Sequence, residues 1–285
     1  MDPANLFGKK AESKDESSYT EKIKISISED LAALPLIYGL KENTLSHSFS
    51  ILLTKPSRIS DKLKDGEVEL GIIPSNEYGQ KKETWRIIPN ISISSKGASR
   101  DRLLFFRKGL KDIKVIAVDQ NAAASLLLLK ILMKEKYVMN PDYHMMKADL
   151  AKMLSKADAA FITGDKAFEY YREHRNYLDL GEEWEDLTGL PFVYSFWAGR
   201  EFTVKKEDIH IIKKTYELGK RNLIKICKNY AKNGQESWSF YHDFLTKNRY
   251  YYFSDHERDG LMEFYNYAFF YGYIKYIPDL FYYEL

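Results

Sequence analysis

The chain of 285 residues carries a net charge of +2, with 43 Lys and Arg against 41 Asp and Glu. Hydrophobic residues make up 45% and charged residues 29%, values near globular averages that argue against disorder over most of the chain. The balanced charge gives no reason to expect a nucleic-acid partner, and the single cysteine, Cys227, excludes an internal disulfide or a cysteine metal site. The length suffices for one large domain or for two lobes with separate cores.

The N-terminal segment, residues 1–21, is polar and charged, and we predict a flexible tail there. It lacks the apolar core of a secretory signal. Nowhere does the chain approach the roughly 20 consecutive apolar residues that a membrane-spanning helix needs. The sequence therefore favours a cytoplasmic protein without a membrane partner.

From residue 23 onward, strand-like and helix-like segments alternate. Period-two patterns rich in β-branched residues predict strands, and apolar residues three or four positions apart predict helices. The predicted segments are strands at 23–28, 49–54, 68–74, 113–119 and 158–163, and helices at 29–40, 57–66, 122–137 and 149–157. Beyond residue 205 the pattern is helical and rich in Tyr and Phe. This alternation predicts an α/β fold with mixed, mostly parallel sheets and a helical C-terminal segment.

Two units of strand, helix, helix, strand predict two lobes. Ligands of open α/β sheets bind at the carboxyl ends of strands, and helix N-termini offer N–H groups that suit an anion. We therefore predict a cleft between the lobes that binds a small carboxylate. The predicted limits are residues 22–108 plus 193–285 for the first lobe and 109–192 for the second.

Polar residues at the predicted strand ends and helix starts are candidate ligand contacts. Each also has an ordinary interpretation as a helix cap or an exposed loop residue. The candidates are Ser75, Asn76, Arg100, Asp101, Asn121, Ser125, Gly164 and Asp165. The sequence contains no nucleophile elbow, phosphate-binding loop or metal-binding histidine pair, so we predict no catalytic residue, metal or organic cofactor from motifs.

In this order, the segments resemble the MqnA family, the chorismate dehydratases that open the futalosine route to menaquinone. The most specific match is DLGEEW at 179–184, followed by TGLPF and an aromatic run with Trp at 188–197. The supporting matches are GEVELGIIPSNEY at 66–78, GASRDRLLFF at 97–106, ASLLLLKILMKEKY at 124–137 and ITGDKAF at 162–168. The resemblance runs from residue 23 to about residue 280.

The resemblance implies a two-lobed fold of the periplasmic-binding-protein type II class, with chorismate bound between the lobes. It implies loss of water to give 3-(1-carboxyvinyloxy)benzoate without a metal or organic cofactor. Three positions depart from the family pattern: Ala32 replaces an Asn, Asp101 replaces a Ser, and Ala124 stands where Ser or Thr is frequent. The alternative function is a paralogue of the same fold that binds a small carboxylate with no turnover or with changed specificity. A solute receptor outside the cytoplasm is a weaker alternative.

Two further segments carry predictions. FVYSFWAGR at 192–200 is predicted to be a buried strand that returns the chain to the first lobe, entered through Gly189 and Pro191 and paired with the strand at 102–106. The aromatic C-terminal segment, 250–285, is predicted to pack on its own lobe, because aromatic residues at helical spacing normally form a buried face. A homodimer contact is the alternative for that segment.

Overall fold

The computed structural model describes residues 22–80, 84–174 and 176–285. The tail predicted at 1–21 lies outside the described residues. The strands are β1 (Lys24–Ile27), β2 (Ser50–Leu53), β3 (Leu70–Pro74), β4 (Trp85–Ile87), β5 (Ile93–Ser95), β6 (Arg102–Phe106), β7 (Val115–Asp119), β8 (Asp142–Met146), β9 (Ala159–Thr163), β10 (Tyr177–Asp179) and β11 (Phe192–Arg200). The helices are α1 (Leu34–Lys41), α2 (Pro56–Lys64), α3 (Ser75–Gly79), α4 (Ala123–Glu135), α5 (Leu150–Lys156), α6 (Asp165–Tyr171), α7 (Leu180–Thr188), α8 (Lys206–Arg221), α9 (Leu223–Tyr230), α10 (Trp238–Lys247) and α11 (Asp255–Phe270).

The strands form two sheets. In the first sheet the order is β2-β1-β3-β11-β4, and β5 pairs with β11; in the second the order is β10-β6-β9-β7-β8. Strands β1 to β3 pair in parallel, as do β7 to β9. Strands β11 and β6 run antiparallel to their neighbours. Both sheets are therefore mixed, and the chain has the α/β architecture that the alternating pattern predicts.

The helices that follow the second sheet return to the first one. Helix α8 packs closely against α1 because Gly219 has no side chain: a Cβ there would lie 2.0 Å from the carbonyl oxygen of Pro35. The N-terminus of α8 forms a capping box, in which the Lys205 backbone N–H donates to Asp208 Oδ2 at 2.9 Å. Among the described residues, no helix is long and apolar enough to cross a membrane.

The predicted return strand exists as β11 and is buried along most of its length, with Phe196, Trp197 and Ala198 fully covered. Its predicted partner is wrong. Strand β11 pairs with β3, β4 and β5, whereas β6 pairs with β9 and β10 in the second sheet. An uninterrupted apolar run fits the centre of either sheet, so its pattern does not reveal the partner. The predicted lobe limits stay a prediction. They place residues 102–106 in the first lobe, whereas these residues pair within the second sheet.

The chain passes between the two sheets twice, at residues 96–101 and at residues 180–191, and Asp179 bonds these two segments together. Its carboxylate accepts hydrogen bonds from the backbone N–H groups of Ser99 at 2.8 Å and Arg100 at 2.6 Å, and from that of Gly181 at 2.9 Å. The same side chain thus caps α7 and holds the outgoing segment beside it. Gly181 permits this approach, since a Cβ on it would lie 2.6 Å from the carbonyl oxygen of Gly97. The charged start of α7 is therefore a connection between the two sheets.

The aromatic C-terminal segment packs on the first sheet, in line with the sequence pattern. Phe264 on α11 meets Phe192 of β11 edge-on, with ring centroids 5.1 Å apart. Tyr265 donates a hydrogen bond to the carbonyl oxygen of Ser75 at 2.8 Å. Phe270 stays largely exposed, at 76% of its surface. The homodimer contact stays a prediction.

Candidate functional site

A cleft of about 470 Å³ lies where strand ends of the two sheets face each other. The first sheet contributes the end of β3 and part of β11, and the second contributes the start of β6 and the ends of β7 and β9. Its walls are partly aromatic and aliphatic, and its polar groups sit at strand ends and helix starts. Its lining includes Asp30, Ala32, Lys55, Ser75, Asp101, Arg102, Asp119, Asn121, Ala124, Ser125, Gly164, Asp165, Lys166, Phe168, Phe192, Tyr194, Tyr230 and Phe244.

Six of the eight predicted contacts line this cleft: Ser75, Asp101, Asn121, Ser125, Gly164 and Asp165. The other two, Asn76 and Arg100, lie outside it. Asn76 follows Ser75 within the first turn of α3 and is buried on a different side of that turn. Arg100 has a φ of +61°, and its guanidinium lies 5.8 Å from the ring centroid of Tyr171. Asp101 therefore lines the cleft, whereas Arg100 lies against Tyr171 outside it.

Asp101 is bound by two arginines. Arg102 Nη1 lies 2.6 Å from its carboxylate, and Arg249 Nη2 pairs with the same oxygen. Arg249 also donates from Nη1 to the carbonyl oxygen of Ser99 at 2.9 Å. Burial by itself raises the pKa of Asp101, but the positive charges of Arg102 and Arg249 outweigh it and lower the pKa below its ordinary value. Asp101 is therefore ionised in the folded protein at neutral pH.

Arg102 is held in place on three sides. Its guanidinium lies over the Tyr194 ring, 3.7 Å from the centroid, and its Nε donates to Ser125 Oγ at 3.2 Å. The third contact is the ion pair with Asp101. Tyr194 is itself fixed by a hydrogen bond of 2.7 Å with Ser95 Oγ. Because a stacked and hydrogen-bonded guanidinium loses little further freedom on binding, Arg102 is preorganised for a flat anionic group.

Three more carboxylates border the cleft, and each accepts a hydrogen bond from the protein. Asp119 accepts from the Asn121 N–H at 3.1 Å, at the N-terminal end of α4. Asp165 accepts from Tyr230 Oη at 2.5 Å. Asp30 likewise accepts from a backbone N–H, at the start of α1. Partial exclusion of water raises the pKa of Asp119 and of Asp165, which makes both stronger bases than a freely hydrated carboxylate.

Two of the positions that depart from the family pattern present only methyl groups to the cleft. Ala32 and Ala124 both line it, and neither offers a side-chain hydrogen bond. The backbone carbonyl of Ala32 accepts from Tyr251 Oη at 2.9 Å. At these two places the cleft is therefore apolar.

Helix α6 connects the two sides of the cleft. Phe168 on α6 meets Phe240 and Phe244 of α10 edge-on, at centroid distances of 5.2 and 5.0 Å. An ion pair of 2.9 Å between Arg172 and Glu236 lies beside this contact. Together with the bond from Tyr230 to Asp165, these contacts hold the second sheet's α6 against the C-terminal helices.

Sequence reasoning missed Arg102, Tyr194 and Tyr230, which line the cleft, and Arg249, which pairs with Asp101 behind the cleft wall. Arg249 stands in the run KNRYYYF, where no spacing or motif distinguishes it from a surface arginine. Tyr194 lay inside a run read as buried strand, and Tyr230 inside a helix of ordinary amphipathic pattern. Within the described part of the chain, no group of three or more His, Cys, Asp or Glu side chains is placed to hold a metal ion.

Two α/β sheets joined by short crossings around a polar cleft define a two-lobed protein of the binding-protein type. Protein AF1704 from Archaeoglobus fulgidus is similar with a TM-score of 0.73 at 16% identity, covering 90% of this chain and 100% of that structure. The Candida albicans CA3427 gene product, described as having the generic periplasmic binding protein fold, gives 0.63 at 12% identity over 90% of this chain and 92% of that one. The predicted periplasmic-binding-protein-like fold is confirmed.

The chain belongs to the family described as menaquinone biosynthesis, whose sequence model matches residues 23–269. The predicted membership is thereby confirmed. A chorismate dehydratase of Thermus thermophilus is 27% identical over 169 residues, which is 53% of this chain and 62% of that relative. The alignment thus spans less than two thirds of the relative's length.

Proposed function

We propose that the chain binds chorismate in the cleft and removes water from it, giving 3-(1-carboxyvinyloxy)benzoate. The observation that carries this proposal is the gathering of Ser75, Asn121, Ser125 and Asp165 with a preorganised Arg102 around one cavity in a member of the menaquinone biosynthesis family. A cavity of about 470 Å³ lies within the range of small-molecule sites, roughly 300–1,000 Å³. The cytoplasmic location stays a prediction.

The proposed reaction makes modest demands on the protein. A C–H bond breaks at the ring carbon that bears the ether, and the bond to the hydroxyl group breaks at the adjacent ring carbon. The ether stays intact. The hydroxyl group leaves as water with a proton, and the ring becomes aromatic. The driving force comes from the substrate, so the protein must orient it, accept one proton and help the leaving group. Asp165 is our candidate proton acceptor, because it lines the cleft and partial desolvation raises its pKa toward neutrality.

Incubation of the purified protein with chorismate tests this function. We expect ultraviolet absorbance to change as the cyclohexadiene becomes an aromatic ring, and mass spectrometry to find a product lighter by one water. Protein denatured by heat is the control, since it corrects for spontaneous decay of chorismate. Product formation no faster than in that control would rule out the dehydratase.

A second candidate is a paralogue that binds a small carboxylate without dehydrating chorismate. The observation that favours it is the replacement of polar groups by methyl groups at Ala32 and Ala124, since the loss of one buried hydrogen-bond partner commonly costs about 1–3 kcal/mol. Calorimetric binding of chorismate without product would support this paralogue. Binding accompanied by product would reject it.

A further inference from the structure

The group formed by Asp101, Arg102 and Arg249 holds two positive charges and one negative charge. The Arg249 side chain has no exposed surface, whereas that of Arg102 is 17% exposed. The residues beside the Arg102 guanidinium, Tyr194 and Ser125, both line the cleft. The unbalanced positive charge of the group is therefore accessible to a ligand only at Arg102.

The geometry of Arg102 leaves one side of the guanidinium unused. Nε donates to Ser125 and Nη1 pairs with Asp101. Among the described residues, Nη2 has no hydrogen-bond partner. A guanidinium fixed over an aromatic ring, with a donor nitrogen remaining, suits a planar carboxylate.

The other charged groups of the cleft are less available to an anion. Lys166 pairs with Glu169 at 2.7 Å on the exposed face of α6. Lys55, just before α2, is an exposed cation among the cleft-lining residues, with full access to water. Asp30, Asp119 and Asp165 accept hydrogen bonds from the protein, and as carboxylates they do not bind an anion. Arg102 is thus the cation that is both oriented and partly desolvated, and charge-assisted bonds are strongest under those conditions.

We propose that Arg102 binds the carboxylate of the cleft ligand, a small ring carboxylate, and that Asp101 and Arg249 act as positioning residues behind it. This assignment rests on the proposed function in that the ligand is taken to be a carboxylate. It adds a specificity-determining residue absent from the sequence-based candidates. The apolar walls, including Phe192 and Ala124, then receive the ring.

Calorimetric titration with 3-hydroxybenzoate and with the uncharged 3-hydroxybenzamide tests the assignment. We expect the unmodified protein to bind the acid about 10- to 100-fold more tightly than the amide, the range typical of bonds to charged groups. Arg102→Met is expected to lose this preference, with unchanged affinity for the amide. Arg102→Lys keeps the charge without the planar fork, so we expect an intermediate preference.

Arg107→Met is the matched control, because Arg107 is an exposed arginine just past β6 and outside the cleft lining. Thermal unfolding of each variant checks that it is folded, and Arg102→Lys keeps the comparison valid if Arg102→Met unfolds. The assignment is overturned if the unmodified protein binds neither probe or does not prefer the acid, or if the folded Arg102 variants keep the full preference.

Turnover of chorismate by the unmodified protein is measured separately. Loss of acid preference in the Arg102 variants without any turnover would support this binding role while rejecting the dehydratase. Turnover with an acid preference insensitive to Arg102 would reject the binding role and leave the dehydratase standing.

Discussion

At the scale of single residues, Asp101 lies between Arg102 and Arg249 with 6% of its surface exposed. Asp101→Asn removes the negative charge that faces a fully buried guanidinium. Breaking a buried pair in this way typically costs about 3–5 kcal/mol, so we expect the free energy of unfolding at pH 7 to fall by that amount in urea titrations. Asp243→Asn, at an exposed pair with Lys247, should change stability little. A comparable effect of both substitutions would show that the buried pair has no special role.

The same pair predicts a pH dependence. Its two arginines hold the pKa of Asp101 below the ordinary value of about 4, so its stabilising contribution is present above that value and is lost as the pH falls through the folded-state pKa. The unfolding free energies of the unmodified protein and Asp101→Asn should therefore differ at pH 7 and converge below about pH 4. A difference that persists undiminished at low pH would contradict the ion pair as its source.

The cleft residues show which parts of a site a sequence reveals. Ser75, Asn121 and Asp165 were predicted because strand ends and helix starts are marked by local patterns, and parallel strands bring those ends together. Tyr230 reaches the cleft from a C-terminal helix, and Arg249, in the segment after α10, reaches Asp101 from behind the cleft wall. Their side chains carry no local signal, because only the packing of distant segments decides where they point.

At the scale of elements, Gly181 allows α7 to lie against the outgoing crossing. A Cβ on Gly181 would stand 2.6 Å from the carbonyl oxygen of Gly97 and 2.9 Å from Ser99 Cβ. Gly181→Ala should therefore lower the free energy of unfolding by about 1–3 kcal/mol, despite the better helix propensity of Ala. Gly109→Ala is the control, since its nearest neighbour would lie at 3.7 Å. Equal melting temperatures for the two variants would contradict the close approach.

Periodicity was sufficient for most elements and insufficient for their pairing. Most strands and helices up to residue 163 were predicted at nearly their observed places, because each carries its own apolar period, whereas the short strands β4 and β5 were not predicted. The strand at 102–106 was placed in the wrong sheet, since a run of consecutive buried residues fits any central position. Two strands flanking the second sheet, β8 and β10, were not predicted, and β8 is largely exposed on a sheet edge.

At the scale of the whole molecule, Phe168 joins the second sheet to the C-terminal helices that pack on the first. It is 3% exposed and contacts Phe240 and Phe244 edge-on. Phe168→Ala removes this aromatic contact across the cleft, and we expect the ligand-free variant to open, with a larger radius of gyration in small-angle X-ray scattering. Chorismate should bind more weakly, since binding must then also bring the two sides together.

Phe270→Ala is the control for Phe168→Ala, because Phe270 is an aromatic residue on α11 with 76% of its surface exposed. Its removal should change neither the radius of gyration nor the affinity. Far-ultraviolet circular dichroism separates opening from unfolding, since an opened Phe168→Ala keeps its helices and strands. If the folded variant scatters as the unmodified protein does and binds chorismate equally well, the contact of α6 with α10 does not hold the cleft closed. The width of the cleft must then be set by the two segments that connect the sheets, which Asp179 bonds together.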